Sequence, residues 1–180
     1  MKIYVLLLSI LFLFTITNAQ TKKIQADKKE STMTYKLTHP LHEIEATSKD
    51  INCWVDLDPA AKTISHVYVQ IDVTTFNSGN SNRDSHAMEV IDAISYPYVK
   101  FNSSGIAQNG DKIKVSGKLL FHGVTRDLVF EATPKWEGNK LTVMGDFVIS
   151  LTAYKIERPS LLLIPVNDDL HFTFYMVVHI

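Results

Sequence analysis

The chain has 180 residues, enough for one domain with a substantial core. Its 18 lysines and arginines against 19 acidic residues leave a net charge of −1 with no long run of either sign, which argues against nucleic acid or an acidic membrane surface as partner. The single cysteine, Cys53, rules out an internal disulfide, so stability has to come from packing.

Residues 1–19, MKIYVLLLSILFLFTITNA, have the three-part form of a secretory signal: Lys2 at the head, an apolar stretch from Ile3 to Ile16 broken by Ser9 and Thr15, and the small residue Ala19 before Gln20. The apolar run falls short of the roughly 20 residues of a spanning helix. Cleavage is therefore expected, leaving a periplasmic or secreted protein with no transmembrane segment. Residues 20–33 are polar and lysine-rich and are expected to form a flexible leader, with the folded domain running from 34 to 180.

Period-two alternation then dominates. Cys53 shares strand parity with Ile51, Val55 and Leu57, which makes it a small buried apolar residue rather than a reactive thiol. Val67, Val69, Ile71 and Val73 lie on one face of a strand, opposite His66, Gln70 and Asp72. The same pattern marks Ile113, Val115, Leu119 and Phe121; then Leu128, Phe130, Ala132 and Trp136; then Leu141, Val143, Phe147 and Ile149. The last strand carries Leu170, Phe172, Phe174, Met176, Val178 and Ile180 on one face. Turn residues at Asn109-Gly110-Asp111, His122-Gly123 and Glu137-Gly138-Asn139 join neighbours as antiparallel hairpins. Seven or eight strands, several of them long, predict an all-β fold, an antiparallel β-barrel that closes on itself to remove exposed edges; a two-sheet sandwich is the competing architecture.

Two segments break the alternation. Ser81 to Ile94 has helical spacing, with Ala87, Met88, Ile91 and Ile94 on one side, Val90 at its edge, a start signal in Ser81 and Asp84, and a stop at Pro97. This short amphipathic helix is expected to lie across one opening of the barrel. Pro159 to Val166, PSLLLIPV, is an apolar loop or edge segment; it either folds over the barrel to complete the core or forms a hydrophobic lip at the mouth.

Catalytic signatures are sparse. His39 and His42 are three apart in an extended stretch, where such side chains point to opposite faces, and no metal motif, nucleophile elbow or phosphate loop is present in the sequence. No metal site and no catalytic residue are expected. The notable polar cluster is Arg83, Asp84 and His86 on the first turn of the helix. One reading has Asp84 capping the helix and Arg83 pairing with a carboxylate or rim carbonyls; the other makes all three contacts for the polar head of a ligand whose tail enters the barrel.

Arg83-Asp84-Ser85-His86, Val90-Ile91-Asp92-Ala93, Tyr96-Pro97 and Val99-Lys100-Phe101-Asn102-Ser103, followed by Val115-Ser116-Gly117-Lys118-Leu119 and His122-Gly123-Val124-Thr125-Arg126, together resemble the YceI-like family. The resemblance spans about Thr34 to Ile180 and implies an exported, lipocalin-like barrel that holds lipids or polyisoprenoids. Val90-Ile91 stands where the family often places two phenylalanines, and Glu157-Arg158-Pro159-Ser160-Leu161 replaces its usual late turn, as in a divergent branch.

A barrel of about eight strands has room for its own side chains or for one slender ligand. The expected lining is Val67, Val69, Ile71, Met88, Ile91, Ile113, Val115, Leu119, Phe121, Phe130, Trp136, Val143, Phe147, Ile149, Phe172 and Phe174, with Arg83, Asp84 and His86 as head-group contacts. The function expected is a carrier or scavenger of a small apolar ligand such as an isoprenoid, quinone or fatty acid, with no cofactor beyond a bound lipid or isoprenoid quinone. The alternatives are an interaction module using the lip at 161–164, and an enzyme acting on a lipid through His86 with Asp84 orienting it. Nothing in the sequence decides whether two copies associate as a homodimer.

Overall fold

The computed structural model describes residues 20–161 and 163–180; the signal expected at 1–19, and Leu162 of the apolar segment, lie outside the described residues. Among these residues the strands are β1 (Lys22–Gln25), β2 (Thr32–His39), β3 (His42–Ser48), β4 (Ile51–Asp58), β5 (Thr63–Asp72), β6 (Tyr98–Asn109), β7 (Lys112–Phe121), β8 (Val124–Glu137), β9 (Lys140–Ser150), β10 (Ser160–Leu161), β11 (Ile164–Pro165) and β12 (Asp169–His179), with one helix, α1 (Ser81–Val90), between β5 and β6. All but β10 and β11 belong to one antiparallel sheet in the order β1-β4-β5-β6-β7-β8-β9-β12-β2-β3. Long strands and consecutive hairpins curl this sheet into the expected lipocalin-like form, but as a half-barrel: the end strands β1 and β3 do not pair with each other, so the full closure expected from the sequence is not made by a strand ladder. Irregular register between Asp56 and Leu57, and between Ser103 and Gly105, adds local bending, and the Val67 amide, just beyond the last β5–β6 pair, donates to Ser103 Oγ at 2.8 Å. The inward faces of these strands form one contiguous apolar cluster.

The leader is ordered rather than flexible. Residues 22–25 pair with β4 in the register Lys22↔Leu57 to Gln25↔Trp54, giving that strand a hydrogen-bonded neighbour. Asp27 Oδ1 then accepts from the amides of Lys29 and Glu30, and buried Ser31 accepts from the Val177 amide at 3.1 Å. Polar composition described the outward side chains correctly and missed the backbone pairing, which any residue type can supply.

The helix also departs from the expected bounds. Asn80, not Ser81, is the N-cap, and its side chain accepts from the Arg83 amide at 3.1 Å. The helix stops at Val90, Asp92 turns the chain with a left-handed backbone (φ 45°), and Ile94 is left 97% exposed rather than on the covered side. β6 then starts at Tyr98, a strand whose half-polar sequence carried no clear alternation.

Beyond β9 a 3-10 turn over Thr152–Tyr154 is fastened to the start of β12 by Asp168, whose carboxylate accepts from Ser150 Oγ, from the Thr152 amide at 2.9 Å and from Thr152 Oγ1 at 3.0 Å. These donors hold the Asp168 carboxyl below its ordinary value, the Ser150 hydroxyl contributing most. A depressed folded value stabilises the fold above the ordinary carboxylate range, and that contribution is lost as pH falls through the folded value. Asp168→Asn is therefore expected to lower Tm at neutral pH, with the gap to the parent narrowing in acid, as thermal melts across a pH series would register; a gap that is constant with pH would contradict this role.

Candidate functional site: an apolar cavity with a polar rim

The barrel is not filled by its own side chains. It encloses a cavity of about 560 Å³. The aromatic residues form a continuous band along the wall: Phe101 to Phe130 at 5.5 Å between ring centroids, Phe130 to Phe147 at 5.5 Å, Phe130 to Phe174 at 5.7 Å, and Phe147 stacked on Phe172 at 5.0 Å. Register explains the stack, since Phe172 pairs with Phe147 on one side and with Tyr35 on the other.

Two inward-facing glycines hold the rings against the wall. A Cβ at Gly145 would lie 2.6 Å from Cζ of Phe174 and 2.8 Å from the Glu131 carbonyl oxygen; at Gly117 it would lie 2.6 Å from Cζ of Phe101 and 2.5 Å from the Asn102 oxygen. Each phenylalanine thus lies over a glycine on the adjacent strand, where a larger residue would push it into the bore.

Of the residues expected to line the interior, Val67, Val69, Ile71, Met88, Ile91, Ile113, Val115, Leu119, Phe121, Phe130, Val143, Phe147, Ile149, Phe172 and Phe174 all border the cavity. Trp136 does not. It sits opposite Leu141 near the end of β8 and packs against the core beyond the cavity, because alternation identifies a face but not a depth along it. Tyr35, Phe76, Phe101 and Cys53 also border the cavity and were absent from the expected lining. Burial pushes the Cys53 thiol up to about 12, so it stays protonated and unreactive.

Polar groups gather at the rim. Arg83 and His86 border the cavity, together with Asn80 and Asn82, whereas Asp84 does not. Asp84 turns to the loop before the helix, accepting from the Ser78 amide at 3.1 Å and from Ser78 Oγ. Arg83 fixes the same residue from the other side, Nε donating to Ser78 Oγ at 2.9 Å and Nη2 to the Ser78 carbonyl at 2.7 Å. Ser78 therefore anchors the helix start, and Asp84 acts there rather than as a head-group contact. His86 is mostly exposed and lies 3.6 Å from Glu89, so the arrangement in which Asp84 orients His86 is not formed. Burial, and secondarily the Asp84 charge, raises the Tyr35 phenol above its ordinary value, with Arg83 opposing.

His39 and His42 face each other rather than diverging. Pro40 and Leu41 form a tight turn, so the two residues pair across the β2–β3 hairpin with ring centroids 5.1 Å apart. Buried His39 accepts from the Leu41 amide at Nδ1 (3.1 Å) and donates from Nε2 to the Ile164 carbonyl at 3.0 Å, which fixes a neutral ring and leaves neither nitrogen for a metal. That bond ties the hairpin to the apolar segment, which joins the core only through buried Val166: Leu161 and Ile164 are exposed, and Leu163, with φ 66°, is 96% exposed. Leu161 also borders the cavity, so the segment forms a lip. On the molecular surface, Asp27, Glu30 and His179 bring metal-type donors together, but Lys140 Nζ already lies 2.5 Å from the Glu30 carboxylate.

Tyr96 and His122 brace the turn between β7 and β8. Tyr96 packs edge-on against His122 at 4.6 Å and covers Gly123, while His122 Nδ1 donates to the Tyr154 carbonyl at 3.0 Å. No helix among the described residues is long and apolar enough to cross a membrane.

Gly145→Ala is expected to destabilise the fold by about 1–3 kcal/mol through the displaced Phe174 ring and to narrow the bore; denaturant melts and displacement of an apolar fluorophore would show both losses, and an unchanged affinity would contradict the wall geometry. Cys53 is expected to resist alkylation in the native protein at neutral pH and to react on unfolding, as mass analysis of iodoacetamide-treated samples would show; rapid native labelling would be inconsistent with its burial.

Comparison with known proteins agrees with this architecture. The chain is 31% identical over 148 residues to a UPF0312 protein of Pseudomonas putida, covering 77% of each chain, and 26% identical over 147 residues to one from Pseudomonas savastanoi. It superposes on BcnA of Burkholderia cenocepacia with a TM-score of 0.77 at 25% identity, over 84% of this chain and 98% of that one. A polyisoprenoid-binding domain from Saccharophagus degradans shares the fold with a TM-score of 0.63 at 13% identity, over 86% and 97% of the two chains. The model of the YceI-like domain matches residues 24–178, and with that match the chain belongs to the YceI-like family.

Proposed function

We propose that this protein is an exported carrier or scavenger of a long apolar molecule, held inside the barrel with its polar end at the rim. The single observation that carries the reading is the bore itself, an apolar volume of about 560 Å³ walled by aliphatic and aromatic side chains and within the usual size range of ligand pockets. An interior that only stabilised the fold would be close-packed. Burying about ten methylenes at roughly 0.8 kcal/mol each gives about 8 kcal/mol before ordering costs, enough for carriage without chemistry. Isoprenoids, quinones and fatty acids all have the required shape, and the polyisoprenoid-binding domain of the same fold handles a cargo of this kind. Arg83 and His86 are the head-group contacts that the rim offers. Release into a periplasm or outside the cell follows from the form of residues 1–19.

Exposure of Leu161, Leu163 and Ile164 beside the mouth favours a second role for the lip as a contact surface, compatible with carriage.

Native mass spectrometry of protein purified from cells without organic solvent is expected to show a mass excess that solvent extraction removes. Protein that carries no such adduct, and that binds no apolar fluorophore after extraction, would overturn the carrier reading.

A further inference from the structure

The charged groups around the cavity are all of one kind. Although its wall draws on nine of the ten strands of the large sheet and on the helix, no aspartate, glutamate or lysine among the described residues borders it, and the permanently charged group there is Arg83. Of the carboxylates near the rim, Asp84 is taken up by the Ser78 amide and hydroxyl, and Glu89 lies on the exposed side of the helix, 3.6 Å from His86. The ion pairs among the described residues do not include Arg83. Its guanidinium commits Nε and Nη2 to Ser78, which fixes the plane of the group and leaves Nη1 without a bond to Ser78. Beside it stand further donors, the Tyr35 phenol and the amides of Asn80 and Asn82.

We propose that the rim selects an oxyanion head group, a carboxylate or a phosphate monoester on a single apolar chain, with Arg83 Nη1 as its charged partner and Tyr35 as a neutral donor. This rests on the carrier reading and narrows it. A held guanidinium suits an oxyanion because little side-chain freedom remains to be lost on binding. An ammonium head meets the opposite situation: a fixed positive charge, with the nearest carboxylate already engaged. An alcohol gains a neutral hydrogen bond but not the charge-assisted one, a difference of about tenfold in affinity.

Displacement of an apolar fluorophore from the intact protein by hexadecanoate, hexadecyl phosphate, hexadecanol and hexadecylamine, at about pH 8 and below their aggregation limits, tests this directly. One or both anions are expected to bind about tenfold more tightly than the alcohol, and the amine more weakly than the alcohol; which anion leads distinguishes a fatty-acid head from a phosphate head. Arg83→Gln is expected to bring anion and alcohol to similar affinity, and Arg83→Lys to keep part of the preference. Equal binding of alcohol and anions by the unaltered protein, or tighter binding of the amine, would overturn the head-group assignment and leave the carrier reading standing. Failure of the fluorophore and all four compounds to bind would remove the carrier reading itself. Because the ligand series uses the unaltered chain, the outcome does not depend on either variant folding.

Discussion

The position of Phe174 over Gly145, and of Phe101 over Gly117, is the constraint on which the rest of the molecule depends. A barrel of this size is poised between two states, one filled by its own side chains and one open to a single guest. The inward faces here carry enough aromatic volume for the first. They yield the second because the rings lie along the wall in mutual contact, and they can do so because the neighbouring strand offers bare backbone where each ring rests. Without that accommodation the rim would guard no interior space.

The rim is built with equal economy of parts. Ser78 receives Arg83 and Asp84 together, so two opposite charges are satisfied without forming a direct ion pair, and the helix is set at the edge of the cavity. On the other side His39 ties its hairpin to the lip through the Ile164 carbonyl. Tyr96, His122 and Gly123 hold the chain after the helix against the β7–β8 turn. Much of what looked in sequence like a reactive cluster is therefore the fastening of loops around an opening, and Arg83 serves both purposes.

Alternation made the inner face of the barrel readable. Phe130, Phe147 and Phe172 lie on the inner face that parity gives them, and the hairpins at Gly110, Gly123 and Gly138 form where the turn residues put them. Parity carries no information on depth, and so Trp136 was assigned to a lining it does not reach. Backbone pairing is invisible to hydropathy, which hid β1 within a lysine-rich stretch and β6 within a half-polar one. Local spacing likewise misread His39 and His42: on an extended strand they diverge, but Pro40-Leu41 reverses the chain and sets the rings side by side. The Ser78 clamp was beyond reach for a related reason, since it depends on where a loop returns and not on the residues flanking it in sequence.

An interior of this volume has a thermodynamic corollary. Wall atoms around a cavity of this size have fewer dispersion partners than those of a packed core, so the protein alone is held less firmly than its strand content suggests. A guest that enters only the folded form supplies those contacts and draws the folding equilibrium toward itself by mass action. On the carrier reading, loading and durability would thereby be coupled: the population that survives heat or proteolysis would be enriched in loaded molecules, and the abundance of the protein would track the supply of what it holds.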